Sequence, residues 1–132
     1  MTEIAFFSSE FATFKNYTPH AITIVKTEDG QDICIPSHGC ARLRSEPQQK
    51  LGEIDGVSIV SAQKFFGLDL QHSPDLNNDT SPILVSMPVG EFIANNPEVY
   101  AGSVYGPDTS PTGVVRNEKG EIVGTRRLIR YK

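Results

Sequence analysis

The stretch LGEIDGVSIVS, residues 51–61, carries an Asp-Gly pair between two short runs that contain β-branched residues. Asp-Gly readily adopts the positive φ angles that a tight hairpin turn requires, so this stretch predicts two antiparallel strands. An earlier segment repeats the arrangement, because HAITIV (residues 20–25) and DICIP (residues 32–36) flank the turn EDGQ, in which Gly30 supplies the permissive backbone. We therefore expect two hairpins within the first 61 residues.

Short apolar or alternating runs predict further strands: ARLRS (residues 41–45), PILVS (82–86), EVYAGSVY (98–105), VVR (114–116) and EIVGTRRLIR (121–130). The turn NEKG joins the last two of these strands into a closing hairpin. Residues 67–82 contain two prolines and an Asn-Asn-Asp run without periodicity, so we interpret them as a long surface loop, with a strand edge followed by an insertion as the alternative. MPVGEFIANN, residues 87–96, has the spacing of a short helix with proline in its first turn.

About seven or eight strands against one or two short helices indicate a mostly β (α+β) protein of antiparallel hairpins. A length of 132 residues fits one domain, so we assign residues 16–132 to a single β-rich domain and residues 1–15 to an N-terminal helical segment. That segment holds four phenylalanines, the last three at helical spacing: Phe6, Phe7, Phe11 and Phe14. An apolar face of this size usually marks an interface, so we expect self-association to complete the fold.

The composition limits the class of protein. Hydrophobic residues make up 38% of the chain and charged residues 21%, which is ordinary for a globular domain. The first ten residues contain no basic side chain, and no apolar run approaches the ~18 residues of a membrane span, so we expect neither a leader nor a span. The net charge of −4 argues against binding to long nucleic acid, which needs a broad cationic face.

Common catalytic signatures are missing from the sequence. CIPSHGC, residues 34–40, brings two cysteines and a histidine together, but the spacing is not that of a zinc knuckle, and we interpret both cysteines as structural thiols. No nucleophile motif accompanies the histidines, and neither type of glycine-rich phosphate loop occurs. We therefore expect no metal, no cofactor and no enzymatic activity.

Arginines are the remaining candidates for chemistry. Residues 114–132 hold six basic and two acidic side chains, although the whole chain is acidic. A planar guanidinium offers paired donors to phosphate and keeps its charge, so we select four candidate phosphate ligands: Arg42, Arg116, Arg126 and Arg127. Arg126 and Arg127 are predicted to point to opposite faces of one strand, so that only one of them enters a given groove.

Neighbouring residues extend the candidate site. Phe92 and Tyr105 offer rings on which a purine could stack beside an arginine. Asp108, in the rigid loop GPDTSPTG, is predicted either to line the pocket or to pair with one of the arginines, and the sequence leaves both roles open.

Three segments, in this order, resemble motifs of a group of phage and prophage proteins. NYTPHAITIV (residues 16–25) resembles that group's N-L-T-P-H-x-I opening, and PSHGCAR (36–42) resembles its P-P-S-G-x-x-A-R. PDTSPTGVVRNEKGEIVGTRRLIR (107–130) resembles its closing P-D-T-x-P-x-x-V-V-R-D-x-x-G-x-I. Through this group the chain resembles the first family of Thoeris anti-defence proteins.

The resemblance implies a phage sponge in the cytoplasm of an infected bacterial host. Such proteins hold cyclic ADP-ribose isomers made by TIR-domain proteins without cleaving them, and some also sequester cyclic oligonucleotides. They assemble as dimers or larger oligomers with pockets between subunits. It implies that Arg116 and its neighbour belong to the pocket. The family pattern has Asp where this chain has Asn117, and an amide can still hydrogen-bond a ribose or adenine edge.

Two other classes of function stay open on the sequence. A virion structural or assembly protein would use the hairpins and the phenylalanine face for subunit contacts and bind no ligand. A small hydrolase of nucleotide signals would bind the same ligand and return a product.

Overall fold

The structure, a computed structural model, describes residues 10–26, 31–69, 76 and 79–132. Within these residues it consists of short strands, one α-helix and two 3-10 turns (Glu10–Thr13 and Pro97–Val99). The strands and the helix are, in chain order, β1 (Lys15–Asn16), β2 (Ile22–Ile24), β3 (Ile33–Ile35), β4 (Arg42–Ser45), β5 (Lys50–Ile54), β6 (Val57–Val60), β7 (Phe65–Asp69), β8 (Ile83–Leu84), α1 (Met87–Asn95), β9 (Val104–Pro107), β10 (Val114–Arg116), β11 (Ile122–Thr125) and β12 (Leu128–Arg130). The predicted class, a small mostly β protein of antiparallel hairpins with a short helix, is confirmed.

Two four-stranded sheets form the body of the protein. The first has the order β1-β8-β9-β12 and the second the order β10-β11-β2-β3. Both predicted hairpins, β2–β3 and β5–β6, are antiparallel, whereas β1–β8, β8–β9 and β11–β2 pair in parallel over long sequence separations. The turn predicted at Gly30 lies outside the described residues.

The predicted single strand over residues 121–130 is wrong. The chain leaves the second sheet after β11, passes through Arg126 and Arg127, and joins the first sheet as β12. Thr125, which is 2% exposed, holds this crossing because its hydroxyl donates to the carbonyl oxygen of Asp108 at 2.8 Å. Arg126 and Arg127 therefore lie between two strands, and the prediction that they point to opposite faces of one strand is wrong.

Two groups of buried side chains form the core. Strand β8 is buried on both faces, since Ile83, Leu84 and the following Val85 are all inaccessible, and this explains the continuous apolar run PILVS. Helix α1 covers the first sheet through Val89 and Ile93. No helix among the described residues has the length and apolar character to cross a membrane.

The N-terminal phenylalanines that the structure describes pack against the β-rich part of the same chain. Phe11 and Phe14 pack on the cluster that contains Ile22 and Leu84, with their ring centroids 5.0 Å apart. The described end of the predicted helix is only a 3-10 turn at Glu10–Thr13, and Phe6 and Phe7 lie outside the described residues.

A buried polar corner joins the first sheet to the loops beside it. The side-chain amide of Asn16, fully buried, donates to the carbonyls of His20 (2.8 Å) and Ile35 (3.0 Å). Its oxygen accepts from the backbone N–H of Thr18 at 2.9 Å, and the backbone N–H of Asn16 donates to Nδ1 of His38 at 3.0 Å. The motifs NYTPH and PSHG thus build one hydrogen-bonded structural unit.

Residues 42–69 form a long two-stranded ribbon, which we call the arm. Strands β4 and β7 pair at its base and β5 and β6 at its tip, and backbone hydrogen bonds from Glu46 to Lys64 and from Ser61 to Gln49 continue the ladder between them. Asp55 and Gly56 turn the tip with φ angles of 50° and 80°, as the Asp-Gly pair predicts. The start of the predicted 67–82 loop belongs to a strand, because β7 runs to Asp69, as the alternative of a strand edge followed by an insertion requires.

The segment after α1 also differs from the prediction. Residues 98–105 were expected to form one strand, but a 3-10 turn occupies Pro97–Val99 and β9 begins only at Val104. Asn96 ends the helix, where its side-chain amide donates to the carbonyl of Phe92 at 2.9 Å. Buried Tyr100 follows and donates its hydroxyl to the carbonyl of Ser81, so this stretch anchors the helix rather than extending a sheet.

Candidate functional site

Arg126 and Arg127 lie where the chain crosses from one sheet to the other, and their side chains have different partners. Arg127 turns toward Asp108, with its Nε 3.0 Å and its Nη2 2.7 Å from Oδ2, and Nη2 also donates to the Thr112 hydroxyl at 2.7 Å. Asp108 accepts the backbone N–H of Ser110 at 3.0 Å. The hydroxyl of Ser110, then its backbone N–H, and then Arg127 hold the pKa of the Asp108 carboxyl below the usual range. Arg127 and Asp108 therefore form an ion pair that ties the 107–113 loop to the crossing.

Arg126 points to a different place. Its Nη1 donates to the carbonyl of Val114 at 3.2 Å, and it shares a cleft of about 300 Å³ with Arg116. The remaining walls of this basic cleft come from the 107–113 loop and the first residue of β10: Thr109, Pro111 and Val114. Among the described residues, no carboxylate lies within ion-pair distance of Arg116 or Arg126. Two guanidinium charges thus face one cleft without a described counter-ion, which is the electrostatic condition for an anion site.

Asn117 organises the turn that carries Arg116. Its side-chain oxygen accepts the backbone N–H groups of Lys119 (2.9 Å) and Glu121 (3.0 Å), and its amide donates to the Glu121 carboxylate at 3.0 Å. Nη1 of Arg116 donates to the carbonyl of Gly120 in the same turn at 2.6 Å. An aspartate at residue 117 would accept the same two backbone hydrogen bonds but could not donate to Glu121. The side chain of residue 117 therefore shapes the turn and, through it, the placement of Arg116.

A second, largely apolar cleft adjoins the basic one. It has a volume of about 350 Å³, and Thr109 lines both clefts. Its apolar walls come from β2, β11 and the start of the 107–113 loop: Ala21, Ile22, Pro107, Ile122 and Val123. The sequence prediction missed this cleft. The feature of the sequence that could have indicated this cleft is the pair Ile122–Val123, two apolar residues in an otherwise charged hairpin. Both are exposed in the structure.

Three of the residues proposed from the sequence lie away from the basic cleft. Arg42 lines another cleft of about 380 Å³ together with Phe65 of the arm and Val89 of α1. Phe92 is half-buried on α1. Tyr105 packs on Phe14 at 5.3 Å between ring centroids and lies under the guanidinium of Arg130 at 5.8 Å. None of these three residues therefore lines the basic cleft that contains Arg116.

The described part of the chain holds no group of three His, Cys, Asp or Glu side chains that could bind a metal ion. Cys34 lies exposed on β3, on the strand where the sequence predicted it. No protein-family model, curated protein or solved structure matches the chain.

Proposed function

We propose that this protein binds a small phosphate-bearing nucleotide in the joined clefts and holds it without cleaving it. The observation that carries the proposal is the placement of Arg116 and Arg126 in one cleft, without a described counter-ion, directly beside an apolar cleft that shares Thr109. A ligand that suits both clefts has an anionic part and a flat, weakly polar part, and nucleotides combine the two.

The basic cleft is suited to phosphate. Each guanidinium carries five N–H donors, and Arg116 and Arg126 each have one hydrogen bond from the side chain to a backbone carbonyl. Most of their donors therefore stay available for phosphate oxygens, which arginine binds in a two-pronged geometry. The positive charge is local to residues 114–132 in an acidic chain, which favours a small anion over long nucleic acid.

The apolar cleft is suited to a base. Its volume of about 350 Å³ falls within the range of ~300–1,000 Å³ that is typical of small-molecule sites. Ile122 and Val123 expose 55% and 47% of their surface there, so a nucleobase that packs on them removes apolar surface from water. His20 and Thr23 also line this cleft and offer polar atoms to the edge of a base.

The resemblance to Thoeris anti-defence proteins supports a specific ligand class. The closing motif, residues 107–130, contains both arginines of the basic cleft and much of the lining of the apolar one. We therefore propose a cyclic ADP-ribose isomer as the ligand and stoichiometric capture in the cytoplasm of an infected bacterium as the mode of action. Capture at nanomolar signal levels needs a binding free energy of about −12 kcal/mol, which phosphate contacts and base burial would share.

Titration calorimetry with a cyclic ADP-ribose isomer tests the proposal. Arg116→Gln and Arg126→Gln should each weaken binding by more than about tenfold, that is by about 1.4 kcal/mol, because each removes a charged phosphate donor. Lys119→Gln is the matched control, since it removes one positive charge from the same hairpin outside the described cleft and should leave the affinity within about twofold.

Arg127→Gln should behave differently from its neighbour. It breaks the ion pair with Asp108, so it should lower the melting temperature of the unliganded protein while the folded variant keeps the parent affinity. Parent affinity in both Arg116→Gln and Arg126→Gln would refute the site. Heat denaturation after incubation then separates the classes: intact nucleotide supports capture, a product indicates a hydrolase, and no retained nucleotide favours an assembly protein.

A further inference from the structure

The turn between β10 and β11 brings an acidic residue close to Arg116. The backbone N–H of Asn117 donates to the carbonyl of Glu121 at 2.9 Å, and Gly120 closes the turn with a φ angle of 82°. Nη1 of Arg116 reaches the carbonyl oxygen of Gly120 at 2.6 Å. The guanidinium is therefore bound to the residue that directly precedes Glu121.

The Glu121 carboxylate could reach this guanidinium. The carbonyl oxygen of Gly120 and the Cα atom of Glu121 belong to one peptide unit, so Nη1 of Arg116 lies within about 6 Å of that Cα atom. A glutamate carboxylate extends roughly 4–5 Å from its own Cα atom. If it turned toward Arg116, it would form an ion pair and compete with any anion for the same N–H donors.

The carboxylate is held on another partner instead. Oε1 of Glu121 accepts the side-chain amide of Asn117 at 3.0 Å. That amide has a fixed orientation, because its oxygen accepts the backbone N–H groups of Lys119 and Glu121 and its nitrogen is left to meet the carboxylate. Among the described residues, no carboxylate lies within ion-pair distance of Arg116. Asn117 is thus the side chain that occupies Glu121.

We propose that Asn117 is a positioning residue of the basic cleft, whose amide holds the Glu121 carboxylate and so leaves the charge of Arg116 to an anionic ligand. This inference rests on the proposed function, because it takes Arg116 and Arg126 as the phosphate ligands. Residue 117 then sets the net charge that the cleft presents to a phosphate group, and it does so through Glu121 rather than by contact with the ligand.

An amide is suited to this role and a carboxylate is not. Aspartate at residue 117 would keep both acceptor bonds to the backbone, so the turn would still form. It would repel Glu121 instead of binding it, and it would add a second negative charge next to Arg116. A single exchange of Asn117 for aspartate therefore converts the turn from one that frees Arg116 into one that neutralises it.

Titration calorimetry of the full chain with inorganic pyrophosphate tests the inference at low salt, where charges are least screened. Pyrophosphate carries the charged part of the proposed ligand without a base, so it reports on the basic cleft. Asn117→Asp should weaken binding by about five- to tenfold, because the released Glu121 and the new carboxylate both oppose the anion. The turn is exposed, so the melting temperature without ligand should stay close to that of the parent.

Rescue by a second change identifies the cause. Glu121→Gln in the Asn117→Asp background should return the affinity to within about twofold of the parent, and its effect should be much larger there than in the parent. Glu118→Gln is the matched control, since it removes one negative charge from the same turn but not the carboxylate that Asn117 binds, and it should not rescue.

The outcomes separate this inference from the proposed site. A loss in Asn117→Asp that Glu121→Gln does not repair would mean that Asn117 has only a structural role. Equal effects of Glu121→Gln in both backgrounds, or parent affinity in Asn117→Asp while Arg116→Gln loses pyrophosphate, would overturn this inference alone. A parent that does not bind pyrophosphate, or Arg116→Gln that binds it as the parent does, would refute the phosphate site and this inference together.

Discussion

Gly90→Ala gives a direct test of how α1 meets the first sheet. Alanine is favoured over glycine inside a helix by about 1 kcal/mol, so propensity alone predicts a more stable protein. Gly90 is buried against the ring of Tyr131, however, and a methyl group there would lie 2.5 Å from Cε2 and 2.6 Å from Cγ. Carbon atoms in contact prefer about 3.5–4.0 Å, so the ring would have to move by about 1 Å.

The ring has little room for this movement. Tyr131 also abuts β9, where a methyl at Gly106 would lie 2.9 Å from the same Cε2 atom. Overpacking of a closed site costs about 1–3 kcal/mol, which exceeds the gain in propensity. We therefore expect Gly90→Ala to lower the free energy of unfolding by about 1–2 kcal/mol and the melting temperature by roughly 4–8 °C.

Urea denaturation of a double-mutant cycle separates the two effects. In a Tyr131→Ala background the clash is gone, so Gly90→Ala should change sign and stabilise the protein by up to about 1 kcal/mol. The reasoning is wrong if Gly90→Ala stabilises the parent, or if its effect is the same with and without the ring.

Two further predictions concern polar groups. Asn16→Ala should destabilise the fold by about 3 kcal/mol in urea denaturation, because it removes a buried amide that donates to the buried carbonyl of Ile35 and to the carbonyl of His20. Asn117→Ala in the exposed turn should cost less than about 1 kcal/mol. The hydrogen bond from Lys15, at 2.6 Å, lowers the pKa of Asp79 from 3.8 to about 2. This depressed pKa contributes stability that is present above about pH 4 and is lost as the pH falls toward 2, so Asp79→Asn should flatten the fall in melting temperature in that window.

Local patterns were sufficient for part of the fold. The Asp55–Gly56 turn and its flanking strands follow from backbone preferences that act over a few residues, and the helix at 87–96 follows from apolar spacing and Pro88. These elements were predictable because the determining residues are neighbours in sequence. The end of the strand at Thr125 was not, because it depends on the carbonyl of Asp108, 17 residues earlier.

The site was predictable in its chemistry but not in its arrangement. The arginine-rich segment was visible in the sequence. The prediction that Arg126 and Arg127 belong to one continuous strand was wrong. Their separation comes from the crossing between sheets, where Asp108 pairs with Arg127 and leaves Arg126 to the cleft. The apolar cleft requires the parallel pairing of β11 with β2, and no local sequence pattern predicts a pairing between strands so far apart in the chain.

The parallel pairing of β11 with β2 also affects the order in which the chain folds. Thr125 pairs with Ile24, about 100 residues earlier, so the hairpin of β2 and β3 leaves the ribosome long before the strand that flanks it. At translation rates of ~5–20 residues per second this delay is roughly 5–20 s. During that interval the open edge of β2 is available to chaperones or to other nascent chains. Such a fold, rich in long-range pairings, should form slowly for its size, and its yield in cells should depend on how fast residues 114–130 follow.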